Sequence, residues 1–214
     1  MKIAVCFFGQ LRTFRYCATR MKEVFEKQGQ VDYFIHTWNR ENYGVYNQSL
    51  NCTLDRKALG EELCYVFSPK KILVEDELTC GDLEYEPFDP RQALFYSISR
   101  TLGLMKEYVM ETKTHYDAVI CIRPDVWLYT DKLIVPEQRK VYLQAHEYDS
   151  SMLDFGCIRT RDLVFLFSQE TAMIFQRIHA YARLKLLMQL GEVNSVRPFT
   201  NEAIVASFLL ECRF

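Results

Sequence analysis

The fold of this chain is decided by the stretch Tyr116-Asp-Ala-Val-Ile-Cys-Ile-Arg-Pro-Asp125. Its centre, residues 118–122, is an unbroken apolar run, and such a run between charged residues is typical of a strand that is buried on both faces of a sheet. Pro124 ends the strand because proline lacks the backbone donor of a sheet ladder. Arg123 and Asp125 therefore follow a central strand at its carboxyl end, which is where ligands bind in open α/β sheets.

The rest of the chain alternates between strands and helices. Apolar runs predict further strands over residues 2–8, 31–38, 71–75, 140–145 and 163–167. Apolar residues three or four apart predict helices over residues 14–27, 55–67, 91–113, 169–190 and 201–210. The inward positions expected in the first and fourth of these helices are Tyr16, Met21, Val24 and Phe25, and Ile174, Ile178, Tyr181, Leu184 and Met188. This order predicts one α/β domain over residues 1–214, with a mostly parallel, Rossmann-like central sheet flanked by helices.

The composition excludes several classes of protein. Of the 214 residues, 49% are hydrophobic, which is enough for a real core, so the chain is neither disordered nor fibrous. A net charge of −2 gives no basic field and argues against a nucleic-acid partner. No apolar run reaches the length of a membrane span, and the chain is expected to be soluble and cytoplasmic. The eight cysteines include no C-x-x-C pair and are expected to be reduced.

Polar residues follow the predicted strands, and these are the candidate site residues. Gln10 and Arg12 follow the first strand, His36 and Trp38 end the second, and Arg123 and Asp125 follow the central one; Asp154 lies on a later loop. On the predicted helix 91–113, Gln92, Tyr96 and Arg100 are four apart on one face. The acidic run 75–77 is interpreted as the solvated start of a loop, with no chemistry. Glycine-rich phosphate loops and zinc or nucleophile-elbow motifs are absent, and the set suits a ligand with phosphate and hydroxyl groups.

Five segments of the chain together resemble the GT-A glycosyltransferases. They are 8–13, 32–38, 116–125, 154–156 and 201–202. Within that family the chain is similar to enzymes of capsule and lipopolysaccharide synthesis and to the N-terminal domain of chlorovirus glycosyltransferases that act on the viral capsid protein. The resemblance implies a GT-A fold, host-cell cytoplasm for a viral chain, and membership of a longer multidomain protein. It also implies transfer of a hexose or deoxyhexose from a nucleotide sugar, UDP-linked, to a glycan or glycoprotein acceptor.

The resemblance also implies roles for the candidate residues. Asp125 matches the second acid of the family's Asp-x-Asp motif and would bind Mn²⁺ or Mg²⁺. Arg123 replaces the first acid, which would either weaken metal binding or let Arg123 contact the phosphate or ribose of the donor. The donor contacts would be Gln10, Arg12, Gln92, Arg100 and Arg123. Asp154 would be the catalytic base or an orienting group, depending on whether the reaction inverts or retains configuration.

Each of these roles has a structural alternative, and the function has rivals. Asp125 and Asp154 are also the residues expected to stabilise turns, Arg12 is also a surface cation, and Glu202 is also a charge at a helix start. His36 and Trp38 are expected to pack in the core or a loop, although a tryptophan ring at a strand end also suits stacking on a sugar or base. The rival function is a non-catalytic module that binds a sugar nucleotide or glycan. A nucleotidyltransferase is less favoured because the chain has no glycine-rich phosphate loop after its first strand.

Overall fold

The computed structural model of the chain describes residues 1–41, 52–76, 90–129, 135–145, 160–191 and 201–212. Strands and helices alternate along these residues, as the sequence predicts. The strands are β1 (Lys2–Phe7), β2 (Gln30–Trp38), β3 (Arg40–Glu41), β4 (Cys52–Thr53), β5 (Lys71–Glu75), β6 (Ala118–Ile122), β7 (Val141–Ala145) and β8 (Thr160–Phe167). The helices are α1 (Phe14–Glu26), α2 (Arg56–Phe67), α3 (Pro90–Thr112), α4 (Gln169–Phe175), α5 (Ile178–Gly191) and α6 (Asn201–Glu211).

Six strands form the central sheet, in the spatial order β5-β2-β1-β6-β8-β7. The neighbours from β5 to β6 pair in parallel, whereas β8 is antiparallel to both β6 and β7. Numbered along the chain, the six strands stand in the order 3-2-1-4-6-5, so the first four follow the doubly wound nucleotide-binding order and the last two are exchanged. The α/β class and the mostly parallel sheet are therefore confirmed, and β3 pairs with β4 in a small separate ribbon.

Helices cover the sheet on both faces, and the alternation of β1 shows how. Ile3, Val5 and Phe7 pack with α1 and α2, whereas Ala4 and Cys6 on the opposite face pack with α3. Residues of α4, α5 and α6 complete the core on the face of the sheet that α3 covers. Because each face of the strand is buried, both sets of side chains must be apolar, which explains the unbroken apolar runs of β1 and β6. A fully buried phenylalanine contributes about 1.5–3 kcal/mol of transfer free energy to such a core.

A buried carboxylate connects three strands near their amino ends. Asp32 of β2 is only 3% exposed and accepts a hydrogen bond from the Tyr116 hydroxyl, at 2.8 Å, just before β6. Lys2 of β1 and Lys70, which precedes β5, place their ammonium groups 3.6 and 3.5 Å from the same carboxylate. Buried charges are stable only when they are paired and hydrogen-bonded, and Asp32 satisfies both conditions with partners from distant segments.

Three sequence expectations about the helices were wrong. Tyr16 is 80% exposed, because the buried stripe of α1 runs through residues 14, 17, 18, 21, 24 and 25 and leaves position 16 on the opposite face. The predicted helix 169–190 is divided into α4 and α5, since the Arg177 N–H donates to the Ile174 carbonyl three residues back and tightens the backbone. The buried positions 171, 172, 175, 178 and 182 keep a three- and four-residue spacing through this break, and Ile174 and Leu184 lie off that stripe, 41% and 56% exposed.

Two features of the described residues concern the expected compartment, namely membrane-spanning helices and the state of the cysteines. Over the described residues, no helix is long and apolar enough to cross a membrane. The described cysteines are free thiols, namely Cys6, Cys17, Cys52, Cys64, Cys121 and Cys212.

Candidate functional site

The turn after β1 carries Gln10 and Arg12 and is held from both sides. Gly9 has a φ of 88°, in the left-handed region that favours glycine, although an added Cβ there would meet no neighbouring atom. Its N–H donates to the Ser97 hydroxyl of α3 at 2.7 Å, and its carbonyl accepts from the Thr37 hydroxyl of β2 at 2.8 Å. Both polar groups of Gly9 are therefore bound by buried side chains, and the turn has a defined shape.

The second part of the site follows β6. The Arg123 guanidinium donates to both oxygens of Asp125, Nε to Oδ1 at 2.9 Å and Nη2 to Oδ2 at 2.6 Å. Arg12 reaches the same carboxylate from the β1 turn, with its Nη1 3.7 Å from Oδ2, and its Nε donates to Gln10 Oε1 at 3.3 Å. The Asp125 side chain is 9% exposed and those of Arg123 and Arg12 are 23% and 36% exposed. These four residues, Gln10, Arg12, Arg123 and Asp125, are called the arginine cluster below.

The sheet topology brings the two halves of the arginine cluster together. β1 and β6 are parallel neighbours with Phe7 opposite Ile122, and the Phe8 N–H donates to the Ile122 carbonyl at 3.2 Å. The chain leaves β1 towards β2 on one side and enters β6 on the other, so the strand order reverses between these two strands. The crevice outside the carboxyl ends of strands at such a reversal is the usual ligand position in open α/β sheets.

A second polar group lies at the carboxyl ends of β2 and β5. The fully buried His36 contacts the Ser97 hydroxyl through Nδ1 at 2.6 Å and a Glu75 oxygen through Nε2 at 2.8 Å. Tyr96 donates to both Glu75 oxygens at 3.2 and 3.0 Å, and the Arg100 Nε lies 3.6 Å from Glu75 Oε2. These five residues, His36, Glu75, Tyr96, Ser97 and Arg100, are called the His36–Glu75 network.

The protonation states in this network follow from its geometry. Burial lowers the pKa of His36, and the hydrogen bond from His36 is the main reason that the pKa of Glu75 is lowered. His36 is therefore neutral and Glu75 ionised near pH 7, so Nε2–H donates to Glu75 and Nδ1 accepts from the Ser97 hydroxyl. Ser97 accepts in turn from the Gly9 N–H, and the network thus connects Glu75 to the β1 turn.

The order serine, histidine, carboxylate resembles that of a hydrolase triad, but accessibility excludes this chemistry. Ser97 and His36 are both 0% exposed, and the Ser97 oxygen already accepts a hydrogen bond from Gly9. A nucleophile must reach a substrate carbonyl, and this hydroxyl reaches only protein atoms in the described chain. The network instead supports the shape of the turn that carries Gln10 and Arg12.

Of the three α3 residues that the sequence places on one face, Tyr96 and Arg100 belong to the His36–Glu75 network and Gln92 does not. Tyr96 and Arg100 contact Glu75, whereas Gln92 is 6% exposed and its buried Oε1 has no hydrogen-bond partner among the described residues. Trp38 is 3% exposed and stacks on Tyr96, with ring centroids 5.6 Å apart. His36 and Trp38 are thus packed, as expected, and the Trp38 ring presents no free face for a sugar.

The structure therefore unites four predicted residues and adds one that the sequence interpretation missed. The arginine cluster contains four of the proposed donor and metal residues, and Arg100 belongs to the His36–Glu75 network. The placement of Glu75 in a solvated run was wrong, because Glu75 is the last residue of β5 and the centre of that network. Its position at the end of a predicted strand was the available signal. Asp154 and the Glu202 side chain lie outside the described residues.

Within the described residues there is no group of three or more His, Cys, Asp or Glu side chains that could hold a metal ion. Asp125 is the carboxylate of the arginine cluster, so a cation there would need oxygen ligands from elsewhere. No protein-family model matches the chain, and a search of curated proteins finds no match. The resemblance to GT-A glycosyltransferases therefore stays a prediction from the sequence.

Proposed function

We propose that this chain is a metal-dependent GT-A glycosyltransferase that moves a hexose or deoxyhexose from a UDP-linked donor to a glycan or glycoprotein acceptor. The observation that carries the proposal is the meeting of Gln10 and Arg12 with Arg123 and Asp125 in the crevice between β1 and β6. That crevice is where an open α/β sheet binds a nucleotide, and its side chains suit a diphosphate.

The charges of the arginine cluster favour an anionic ligand. Among the described residues, the guanidinium groups of Arg12 and Arg123 both lie against the carboxylate of Asp125, with nitrogens 3.7 and 2.6 Å from its Oδ2. Arginine presents a planar fork of donors that matches phosphate oxygens, and such charge-assisted pairs are short and directional. In the proposed complex both arginines turn part of their donors from Asp125 to the diphosphate, and Gln10 orients the nucleoside side of the donor.

The donor set of the cluster fits a cation that binds together with the diphosphate. Mg²⁺ and Mn²⁺ commonly take one or two protein carboxylates and complete their shell with phosphate oxygens and water, and Asp125 provides one carboxylate. When bound, the cation would neutralise the charge that develops on the leaving diphosphate. Asp125 is the residue that would hold it, once Arg123 has moved its donors to the phosphate.

A second candidate function has one observation in its favour. Both oxygens of Asp125 are already bound by Arg123, so the carboxylate is occupied without any metal. A module that binds a sugar nucleotide through Arg12 and Arg123, without catalysis, would use the same cluster with Asp125 only as a counter-ion. The two functions differ in whether a divalent cation strengthens the binding of UDP.

The test is the melting temperature of the chain with UDP, with Mn²⁺ and with both. A ligand at a hundredfold excess over its Kd stabilises the folded state by about 2.7 kcal/mol. For a chain of this size that is a rise of roughly 5–10 °C. For the enzyme we expect this rise with both ligands and a smaller one with either alone, because coupling between two binding sites is reciprocal. ADP should reproduce the rise poorly.

Two variants make the test specific. Asp125→Asn is nearly isosteric and should abolish the joint effect of UDP and Mn²⁺ together with turnover of the sugar donor. Asp117→Asn is the matched control, since Asp117 is an exposed acid at the opposite end of the same strand, and it should behave as the parent. Equal stabilisation by UDP in Mn²⁺ and in EDTA would contradict the metal-dependent enzyme and favour the binding module.

A further inference from the structure

A surface groove lies on the outer side of α1, next to the segment that follows Asp125. Its volume is about 430 Å³, within the range of small-ligand sites. From α1 it is lined by Tyr16, Thr19, Arg20 and Glu23, which recur at three- and four-residue spacings on one helix face. The opposite wall is the segment 127–129. None of these residues belongs to the arginine cluster or to the His36–Glu75 network.

The exposed aromatic side chains of the described residues concentrate in this groove. Tyr16, Trp127 and Tyr129 are 80%, 48% and 91% exposed, and all three line it. The fourth exposed aromatic residue of the described chain, Tyr65, lies on α2. Single exposed aromatic residues need no explanation, but a cluster of three around one groove is the pattern of a binding surface.

The groove is held in shape by the protein itself. The Arg20 Nε donates to the Leu128 carbonyl at 2.9 Å, which fixes the segment against α1. Val126 and Leu128 pack against the core of α1 and β1, and the residues between and after them, Trp127 and Tyr129, are left exposed. The alternation is that of an extended segment with one buried side, so the aromatic rings are presented by a supported backbone.

The charges of the groove point to an uncharged ligand. Among the described lining residues the charged pair is Arg20 and Glu23, with the Arg20 Nη1 3.9 Å from the Glu23 carboxylate, so these two side chains offset each other. The arginine cluster, in contrast, brings two guanidinium groups to one carboxylate. Aromatic faces suit the C–H surface of a pyranose ring, while guanidinium, carboxylate and hydroxyl groups suit its hydroxyls. A neutral sugar chain offers both surfaces at once.

We infer that this groove binds a neutral saccharide segment, with the rings of Trp127, Tyr16 and Tyr129 as stacking surfaces. Arg20, Glu23 and Thr19 provide the hydrogen bonds to its hydroxyl groups. The groove wall, residues 127–129, follows Asp125 in the chain, and the inference includes the same glycan as the acceptor; this role rests on the proposed function, whereas the binding itself does not. The groove is open to solvent and therefore accommodates a segment of a longer chain.

Trp127 makes the inference testable by fluorescence. The chain has two tryptophans, and because Trp38 is 3% exposed, a saccharide that stacks in the groove changes mainly the emission of Trp127. The probes are maltohexaose, cellohexaose and mannohexaose, each titrated to 10 mM, which is roughly the weak limit of specific binding. At least one probe should give a saturable change in emission and a matching calorimetric isotherm. If all three probes give neither signal, the inference is overturned.

Variants locate the binding and separate it from the proposed function. Tyr129→Ala and Trp127→Ala should weaken the calorimetric affinity by at least tenfold with an unchanged melting temperature, whereas Tyr65→Ala, outside the groove, should keep it. Saccharide binding that survives both groove variants overturns the inference. Asp125→Asn should lose the joint stabilisation by UDP and Mn²⁺ and keep saccharide binding. In the unmutated protein, joint stabilisation by UDP and Mn²⁺ without saccharide binding would overturn only this inference, and saccharide binding without that stabilisation would overturn only the proposed function.

Discussion

Two aspartates near opposite ends of the central sheet, Asp32 and Asp125, have side chains that are 3% and 9% exposed, and they are held in different ways. Asp32, near the amino ends, is bound by Tyr116, Lys2 and Lys70, which come from three distant segments of the chain. Asp125, beyond the carboxyl ends, is bound mainly by Arg123, two residues before it. A long-range pairing stabilises the arrangement of strands, whereas a local one adds little to the tertiary structure. The comparison teaches that burial and pairing alone do not distinguish an acid that stabilises the fold from one that the proposal assigns to a metal ion.

The largest expected effect is at the amino end of the sheet. Asp32→Ala leaves the buried Tyr116 hydroxyl without its acceptor, and we expect the free energy of unfolding to fall by about 2 kcal/mol. The lysine contributions are discounted, because their side chains are 30% and 42% exposed. In urea denaturation, Asp125→Asn should change the free energy of unfolding by less than about 1 kcal/mol. An equal loss in both variants would remove the distinction between the two aspartates.

The next largest effect is the pH dependence of stability, which the structure connects to His179, His36 and Glu75. Burial lowers the pKa of His179 to about 4, helped by the nearby Arg183, and no described residue is a hydrogen-bond partner of its buried Nε2. Between pH 6.5 and about 4 the unfolded chain therefore holds a proton on this residue that the folded chain lacks, and stability falls as the pH falls. His36 acts in the same direction below pH 6.5, and Glu75, whose pKa is lowered, adds its loss at more acidic pH.

His179→Leu tests this assignment. The variant removes an unsatisfied buried nitrogen and should be neutral or slightly stabilising at pH 7. It should also reduce the loss of stability between pH 6.5 and 4 by about 1 kcal/mol, a figure discounted for the partial exposure of the ring. The measurement is the urea midpoint as a function of pH, with His115→Leu, at an exposed histidine, as control. An unchanged pH dependence in His179→Leu would show that other groups carry it.

The smallest expected effect is at the Arg15–Glu62 ion pair, which has the same two-bond geometry as Arg123–Asp125. Arg15 donates to Glu62 through two bonds of 2.7 Å, as Arg123 does to Asp125, but the side chains of Arg15 and Glu62 are 47% and 34% exposed. Arg15→Gln should change the free energy of unfolding by less than about 0.5 kcal/mol and leave UDP binding as it is. Arg123→Gln should also leave the fold intact but weaken UDP binding by calorimetry. Equal UDP affinity in the two variants would remove Arg123 from the proposed donor site.

The local pattern of the sequence determined most of the elements and half of the site. The apolar run of β6 and the three- and four-residue spacing of α3 are properties of neighbouring residues, so both elements were predicted within one residue of their observed ends. The proline after β6 likewise placed Arg123 and Asp125 at a strand end. The break between α4 and α5 was missed, because no glycine or proline marks it and the apolar pattern continues across it.

The tertiary structure alone decided which of these residues meet. Strand order places β1 beside β6 and so brings Arg12 to Asp125 across more than a hundred residues of sequence. Glu75 became the centre of a network only because His36 and Tyr96 lie on elements that pack against β5, contacts that no periodicity records. Local propensity fixes where a strand ends, since it depends on adjacent side chains. Which strand ends are neighbours depends on how the helices bury both faces of the sheet, and that is settled only when the whole chain is packed.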